Sequence, residues 1–171
     1  MLLNLYKRAL AAIAFLIEHI ATILFILFFI VVIMQVFFRF VLSMPLTWSE
    51  EASRYLNLWS VLLGAVLAVK HKDHLRVDLI DGLVKKWPYR AQVGFYFFTT
   101  VLSALVAFSF LTGSIRMTID RWHIPLTMVP ISQGVLYLAL FVSSLLMLVF
   151  FGHQLVRYIL DFRNNEGGDV K

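Results

Sequence analysis

The sequence predicts an all-α integral membrane protein with four transmembrane helices. Hydrophobic residues make up 61% of the 171-residue chain, which includes 16 Phe, and the mean hydropathy is +0.85. A soluble domain of this size could not be coated with so few polar residues. The apolar residues also gather into four segments, each close to the roughly 20 residues that span a bilayer as helix. These segments are residues 20–41, 52–69, 93–112 and 129–151.

The basic residues indicate how the four spans are oriented. With an even number of spans, the two termini and the connection between the second and third spans lie on one side. Eleven of the 15 lysines and arginines fall on that side, and the other four are Arg39, Arg54, Arg116 and Arg121. The positive-inside rule therefore predicts cytoplasmic termini and, in a bacterium, an inner-membrane protein. The net charge of +5 fits this distribution better than nucleic-acid binding.

An amphipathic segment precedes the first span. Apolar residues alternate at helical spacings of three and four positions: Leu3, Tyr6, Leu10, Ile13 and Ile17. Lys7 and Arg8 imitate the start of a signal peptide, but Glu18 and a full-length span follow. The segment is predicted to be an uncleaved, interfacial lead-in helix.

The first span ends near the polar segment PLTWSEEASRY, residues 45–55, which is called the hinge below. Pro45 is expected to stop the first helix, and Thr47 with Glu50 fits a capping box for the second. On this interpretation Glu50 and Glu51 only complement the helix dipole. A cap does not require both carboxylates, so a functional role for the hinge stays open.

Gln35 and Arg39 form an i,i+4 polar pair near the outer end of the first span. An ionisable residue inside a span is by default a functional hypothesis, although an arginine there can also snorkel to the surface. Arg39 is expected either to dock a partner or to pair internally with Glu50 or Glu51.

The second span carries a stripe of polar and small residues. Spacings of three and four positions place these on one helix face: Glu50, Ser53, Asn57, Ser60, Gly64 and Ala68. Small residues let backbones approach and Ser or Asn can bond across helices, so this face is predicted to pack against protein. The partner is either another of the four helices or a second subunit, and the five residues from Ser53 onward are the candidate subunit interface.

The connection to the third span is predicted to lie along the membrane surface. Its apolar residues recur at every fourth position: Leu75, Leu79, Leu83 and Trp87. Trp87 at headgroup level, with Lys85 and Lys86 on anionic lipid, is the expected arrangement. Residues 1–163 are predicted to form a single membrane domain, and residues 164–171 a flexible tail.

Signals for an enzyme or a cofactor are weak. The five histidines do not give two ligands at matching depth on facing helices, as a membrane haem would need. No phosphate loop or nucleophile motif appears, and the chain has no cysteine. The spans also lack the midplane carboxylates and broken helices of ion-coupled carriers. A non-catalytic subunit without a cofactor or metal is therefore expected.

One stretch carries a family resemblance: QVFFRFVLSMPLTWSEEASRYLNLWSVLLGAVLAVKHKDHLRVDL, residues 35–79. It resembles the signature region of the small membrane subunit of tripartite ATP-independent periplasmic (TRAP) transporters. The matching residues here are Arg39, Pro45, Leu46, Trp48, Ser49, Glu50, Glu51, Gly64, His74, Val77 and Asp78. The third and fourth spans match only in hydropathy.

The resemblance implies a fixed brace for a large membrane subunit, which moves an organic acid with sodium after a periplasmic binding protein captures it. Arg39, Trp48, Glu50 and Glu51 are then candidates for docking the binding protein on the periplasmic side. The resemblance leans toward the sialic acid branch, and sodium coupling is expected in the large subunit. The alternative class is a membrane anchor for a redox or other enzyme complex, in which histidines would hold haem.

Overall fold

The computed structural model describes residues 2–70 and 88–166. These residues form four helices, numbered here in chain order: α1 (Leu2–Phe40), α2 (Thr47–Lys70), α3 (Tyr89–Arg121) and α4 (Gly134–Glu166). All four are long and apolar enough to cross a membrane, which confirms the predicted fold class. The lipid contacts predicted at Lys85, Lys86 and Trp87 lie outside the described residues.

The helices are longer than the spans predicted from hydropathy. α1 is continuous from Leu2, so the lead-in is the first part of the same helix. α3 continues past residue 112 to Arg121, and α4 begins at Gly134 rather than at residue 129. It also extends to Glu166, into the segment predicted as a tail. Hydropathy marks the apolar centre of a helix, whereas its ends depend on capping and on prolines such as Pro125 and Pro130.

The four helices pack in the order α1, α2, α4, α3. α2 packs against α1 on one side and α4 on the other, and α3 packs against α4. Two ends follow from this arrangement. The hinge end holds the α1–α2 hinge and the α3–α4 loop, residues 122–133, and the terminal end holds the start of α1 and the end of α4. This order places α1 and α3 at the two outer positions of the row, with α2 and α4 between them.

The hydrophobic core lies toward the terminal end. The first half of α1 contributes a buried series at spacings of four, three and four: Leu10, Ala14, Ile17 and Ala21. These residues pack with Leu63 and Val66 of α2 and with Phe150 of α4. The lead-in therefore belongs to the protein core, and Ile13, predicted on its apolar face, is exposed instead. The small Ala side chains let three helices approach at this point, a contact that periodicity alone cannot show.

Polar contacts fasten α2 to the rest of the chain near both ends. At the terminal end, the Gln154 amide donates a hydrogen bond of 2.6 Å to the carbonyl of Val69. That carbonyl is among the last four of α2, which have no partner within their own helix. At the hinge end, the side chains of Glu51 and Tyr55 join α2 to the α3–α4 loop.

Candidate functional site

The end of α1 is closed by a turn that contains a strained residue. The Met44 amide donates to the carbonyl of Phe38 at 3.0 Å, and Ser43 between them has φ 54°, in the left-handed region. This conformation costs a non-glycine residue about 1–2 kcal/mol. The turn brings Pro45 and Leu46 to the start of α2.

The predicted capping box at Thr47 does not form. α2 begins at Thr47 itself, so Leu46 precedes the helix and its carbonyl accepts from both the amide and the hydroxyl of Ser49, at 3.2 and 2.7 Å. Ser49 is fully buried. In the described residues, the Thr47 side chain makes no hydrogen bond to Glu50. The cap prediction was wrong because it placed the first helical residue one position too late.

Glu51 reaches across to the α3–α4 loop. One carboxylate oxygen accepts from the amide of Thr127 at 3.3 Å, and the other from the amides of Met128 and Val129 at 3.0 and 3.2 Å. Consecutive amide groups form a concave site for an anion, and a charged acceptor strengthens each bond. Glu51 therefore holds the loop against the start of α2. The capping interpretation of the sequence gave it only an interaction with the helix dipole.

Tyr55 lies one turn after Glu51 on the same face of α2 and extends this contact. Its hydroxyl donates to the carbonyl of Ser132 at 3.2 Å. The Ser132 hydroxyl in turn lies within hydrogen-bond distance of the carbonyls of Arg121 and Trp122 at the end of α3, and it accepts from the Gly134 amide at 3.0 Å. Ser132 thus connects the end of α3, the start of α4 and α2.

The α3–α4 loop is ordered by its own backbone and by close packing. The Leu126 amide donates to the Ile131 carbonyl and the Gln133 amide to the Ile124 carbonyl, at 3.0 and 2.9 Å. Where the loop enters α4, a Cβ on Gly134 would lie 2.9 Å from the Trp122 ring and 3.0 Å from its Cα. Only glycine fits there without a shift.

The remaining docking candidates lie exposed at the hinge end. Trp48 is 41% exposed, Glu50 and Arg39 are exposed, and the Arg39 guanidinium lies 5.7 Å from the centre of the Phe40 ring. Within the described parts of the chain, no carboxylate lies within 4 Å of Arg39. The internal pair with Glu50 or Glu51 is therefore absent here, because Glu51 bonds the loop instead.

The predicted stripe on α2 divides between two environments. Ser60 is buried within the chain, Ser53 and Gly64 are half-buried, and Asn57 and Ala68 are exposed. A Cβ on Gly64 would meet no described atom within 4 Å, so the expected close backbone contact at Gly64 does not occur among the residues that the structure describes. Covered and exposed positions alternate along the stripe, so it lies at the edge of the internal packing face.

The hydrogen bonds at the hinge end join the start of α2 to the α3–α4 loop. No group of three or more His, Asp or Glu in the described residues is placed to hold a metal ion. Sequence reasoning missed the roles of Tyr55, Ser132 and Gly134. The i,i+4 spacing of Glu51 and Tyr55 was an available signal, but their partners lie about 76 to 78 positions away in the chain, and periodicity cannot supply such contacts.

Comparisons with known proteins agree on one family. Residues 28–161 match the model of the DctQ component of tripartite ATP-independent periplasmic transporters. A Haemophilus influenzae protein named as a TRAP transporter small permease is 29% identical over 120 residues, which cover 68% of this chain and 71% of that protein. The H. influenzae sialic acid TRAP transporter permease protein SiaT is 30% identical over 126 residues, which cover 73% of this chain but 20% of SiaT.

Proposed function

Because the chain belongs to the DctQ component family of TRAP transporters, we propose that it braces a large permease subunit in the inner membrane and helps to dock a periplasmic binding protein. The match to part of SiaT supports the bracing role. The segment that resembles this chain makes up 20% of SiaT, so in that relative it is continuous with a much longer permease.

The observation that carries the bracing role is the outward face of α2. Asn57 is exposed and lies about 15 Å along a helix of about 36 Å, near the middle of the span. Its side-chain amide has no hydrogen bond to another described residue. An amide left unpaired in hydrocarbon costs several kcal/mol, so a polar partner in the membrane would stabilise this face. Glu50 and Ala68 are exposed on the same face.

The transport pathway is assigned to the large subunit. The four described helices are unbroken across their spans, whereas ion sites of secondary transporters are typically built on discontinuous helices. Sodium coupling and substrate translocation would then belong to the partner. The substrate class is an organic acid, and sialic acid is the first to test because one relative is named for it.

The bracing role is tested by Gly64→Leu and Asn57→Leu, with co-purification of the large subunit as the readout. Both changes should leave this chain folded, since the added Cβ at Gly64 meets nothing and leucine suits lipid at position 57. Overpacking at an interface costs about 1–3 kcal/mol, so recovery of the partner should fall several-fold. Val106→Leu, which adds bulk at an exposed position of α3, is the matched control.

Unchanged recovery with both variants would mean that α2 faces lipid and that another helix meets the partner. Gly134→Leu would not serve as a second glycine variant for this test, because the leucine side chain would collide with Trp122. That variant would disturb the chain itself before it reported on any partner.

A further inference from the structure

Two adjoining cavities open at the hinge end, beside the contact between α2 and the α3–α4 loop. The first, of about 290 Å³, lies between the start of α2 and the start of α4 and is lined by Arg54, Gln133 and Tyr137 among others. The second, of about 200 Å³, lies between α2 and the loop and has an almost wholly apolar lining that includes Ala52 and Leu56. Glu51, Tyr55 and Leu126 line both, so the two cavities lie side by side.

Three polar side chains that line the first cavity have no hydrogen-bond or ion-pair partner among the described residues. The guanidinium of Arg54, the amide of Gln133 and the hydroxyl of Tyr137 make no hydrogen bond or ion pair to another described residue. A concave site with a few convergent polar groups is the usual form of a small-molecule site. These groups are not needed for the Glu51 contact, since Glu51 bonds the loop amides.

The charges favour an anionic group in this cavity. Glu51 contributes a negative charge to the lining, but its oxygens accept three amide hydrogen bonds from the loop. Arg54 is exposed and keeps its five donors available, which suits a phosphate or carboxylate. The tyrosine hydroxyl and the glutamine amide can add further hydrogen bonds.

The position of the cavities favours a lipid over a soluble anion. Arg54 lies about 10 Å along α2 from its first residue, and Tyr137 lies in the first turn of α4, so both side chains can extend to the headgroup level at the hinge end. Arginine and tyrosine are suited to that depth. The apolar cavity beside them would take an acyl chain, which a soluble phosphate lacks.

We infer that the paired cavities bind one glycerophospholipid, with its phosphate at Arg54 and Tyr137 and part of an acyl chain between Ala52, Leu56 and the loop. The lipid would occupy the space beside the Glu51 and Tyr55 hydrogen bonds, between α2 and the loop. This site lies within the chain itself and does not depend on the proposed bracing or docking roles.

The test uses the full-length chain, purified in detergent and stripped of lipid. Native mass spectrometry measures the binding of added phosphatidylglycerol. Arg54→Gln should weaken the one-lipid complex about tenfold, as expected for the loss of one charge-assisted contact. Tyr137→Phe should weaken it less. Arg116→Gln, which removes an exposed arginine of α3, is the matched control and should leave it unchanged.

The acyl chain is tested separately. Ala52→Leu would fill the apolar cavity and should weaken phosphatidylglycerol binding, while glycerol phosphate should compete poorly on the unaltered protein. If glycerol phosphate competes as well as the lipid, the site takes a free phosphate and the lipid assignment is wrong. That competition decides the point even if Ala52→Leu does not fold.

Two other results would overturn the site. If Arg54→Gln and Arg116→Gln bind lipid equally, the bound lipid is non-specific and the cavity is not its site. In native membranes, the photoreactive variant Tyr137→p-benzoylphenylalanine should form a covalent adduct with a lipid. An adduct with a protein would show that a partner side chain occupies the cavity instead.

Discussion

At the residue scale, Glu51 stands apart from its neighbour Glu50, although the sequence gives both the same character. Glu51 accepts three loop amides, whereas Glu50 is exposed and its backbone carbonyl accepts the Ser53 hydroxyl. A helix rotates about 100° per residue, so only one of two adjacent carboxylates can face the loop. The pair therefore divides into a residue that orders the hinge end and one that is available to a partner.

We predict that Glu51→Ala lowers the thermal stability of the purified chain more than Glu50→Ala does. Hydrogen bonds to a charged group contribute about 1.5–3 kcal/mol when buried. Two of these bonds are exposed and the third is part-buried, so a total of about 1–2 kcal/mol is expected, a shift of a few degrees in the unfolding midpoint. Equal midpoints for the two variants would contradict the role of Glu51.

Arg39 is predicted to act in docking the binding protein. It is exposed at the hinge end and free of carboxylate partners within the described chain, so an acidic residue of the binding protein can reach it. Such rim charges mainly alter the association rate and its salt dependence. Arg39→Glu should slow association and reduce uptake, whereas Arg39→Lys should do so less.

Compensation decides between docking and an internal role for Arg39. If a Glu→Lys change on the binding protein restores uptake in the transporter that carries Arg39→Glu, the docking contact is supported. Restoration by Glu50→Arg within this chain would instead show that Arg39 acts through the hinge.

At the element scale, the start of α1 changes role between sequence and structure. Its periodicity suggested a helix lying on the membrane surface, but Leu10, Ala14, Ile17 and Ala21 pack against α2 and α4. In the half of α1 nearer the hinge, most side chains are exposed. α1 is therefore anchored to the chain mainly through its first half.

Packing at α1 is tested by Ala14→Phe, which should lower the unfolding midpoint in detergent. Ala14 is fully buried, while Ile13 beside it is 41% exposed. Overpacking a buried position costs about 1–3 kcal/mol, and Ile13→Ala should cost much less. If Ala14→Phe proves harmless and Ile13→Ala destabilises, the helix faces the other way.

At the scale of the whole molecule, the two connections at the hinge end form one surface. Glu51 joins the hinge to the loop at residues 127–129, and Tyr55 repeats the link at Ser132. Both connections must therefore lie on the same side of the membrane. The charge distribution predicts that this side is the periplasm.

Labelling of introduced cysteines tests this topology. Ser43→Cys and Thr127→Cys are both at exposed positions, and the chain has no native cysteine. A membrane-impermeant thiol reagent added to intact spheroplasts should label both variants. Labelling of both only after the membrane is opened would reverse the orientation, and labelling of one alone would contradict the shared end.

The sequence by itself determined the fold class, the number of spans in the described chain and the family, because these depend on local composition and on the ordered residues from Arg39 through the second span. It also indicated that α2 has a polar face that packs against protein, since a helical period can be read from spacing. It did not determine which stripe residues face outward, where the helices end, or what Glu51 bonds. Those were decided by tertiary structure, because the hinge and the α3–α4 loop meet across more than 70 intervening residues and packing between the helices covers Ser60 but leaves Asn57 exposed.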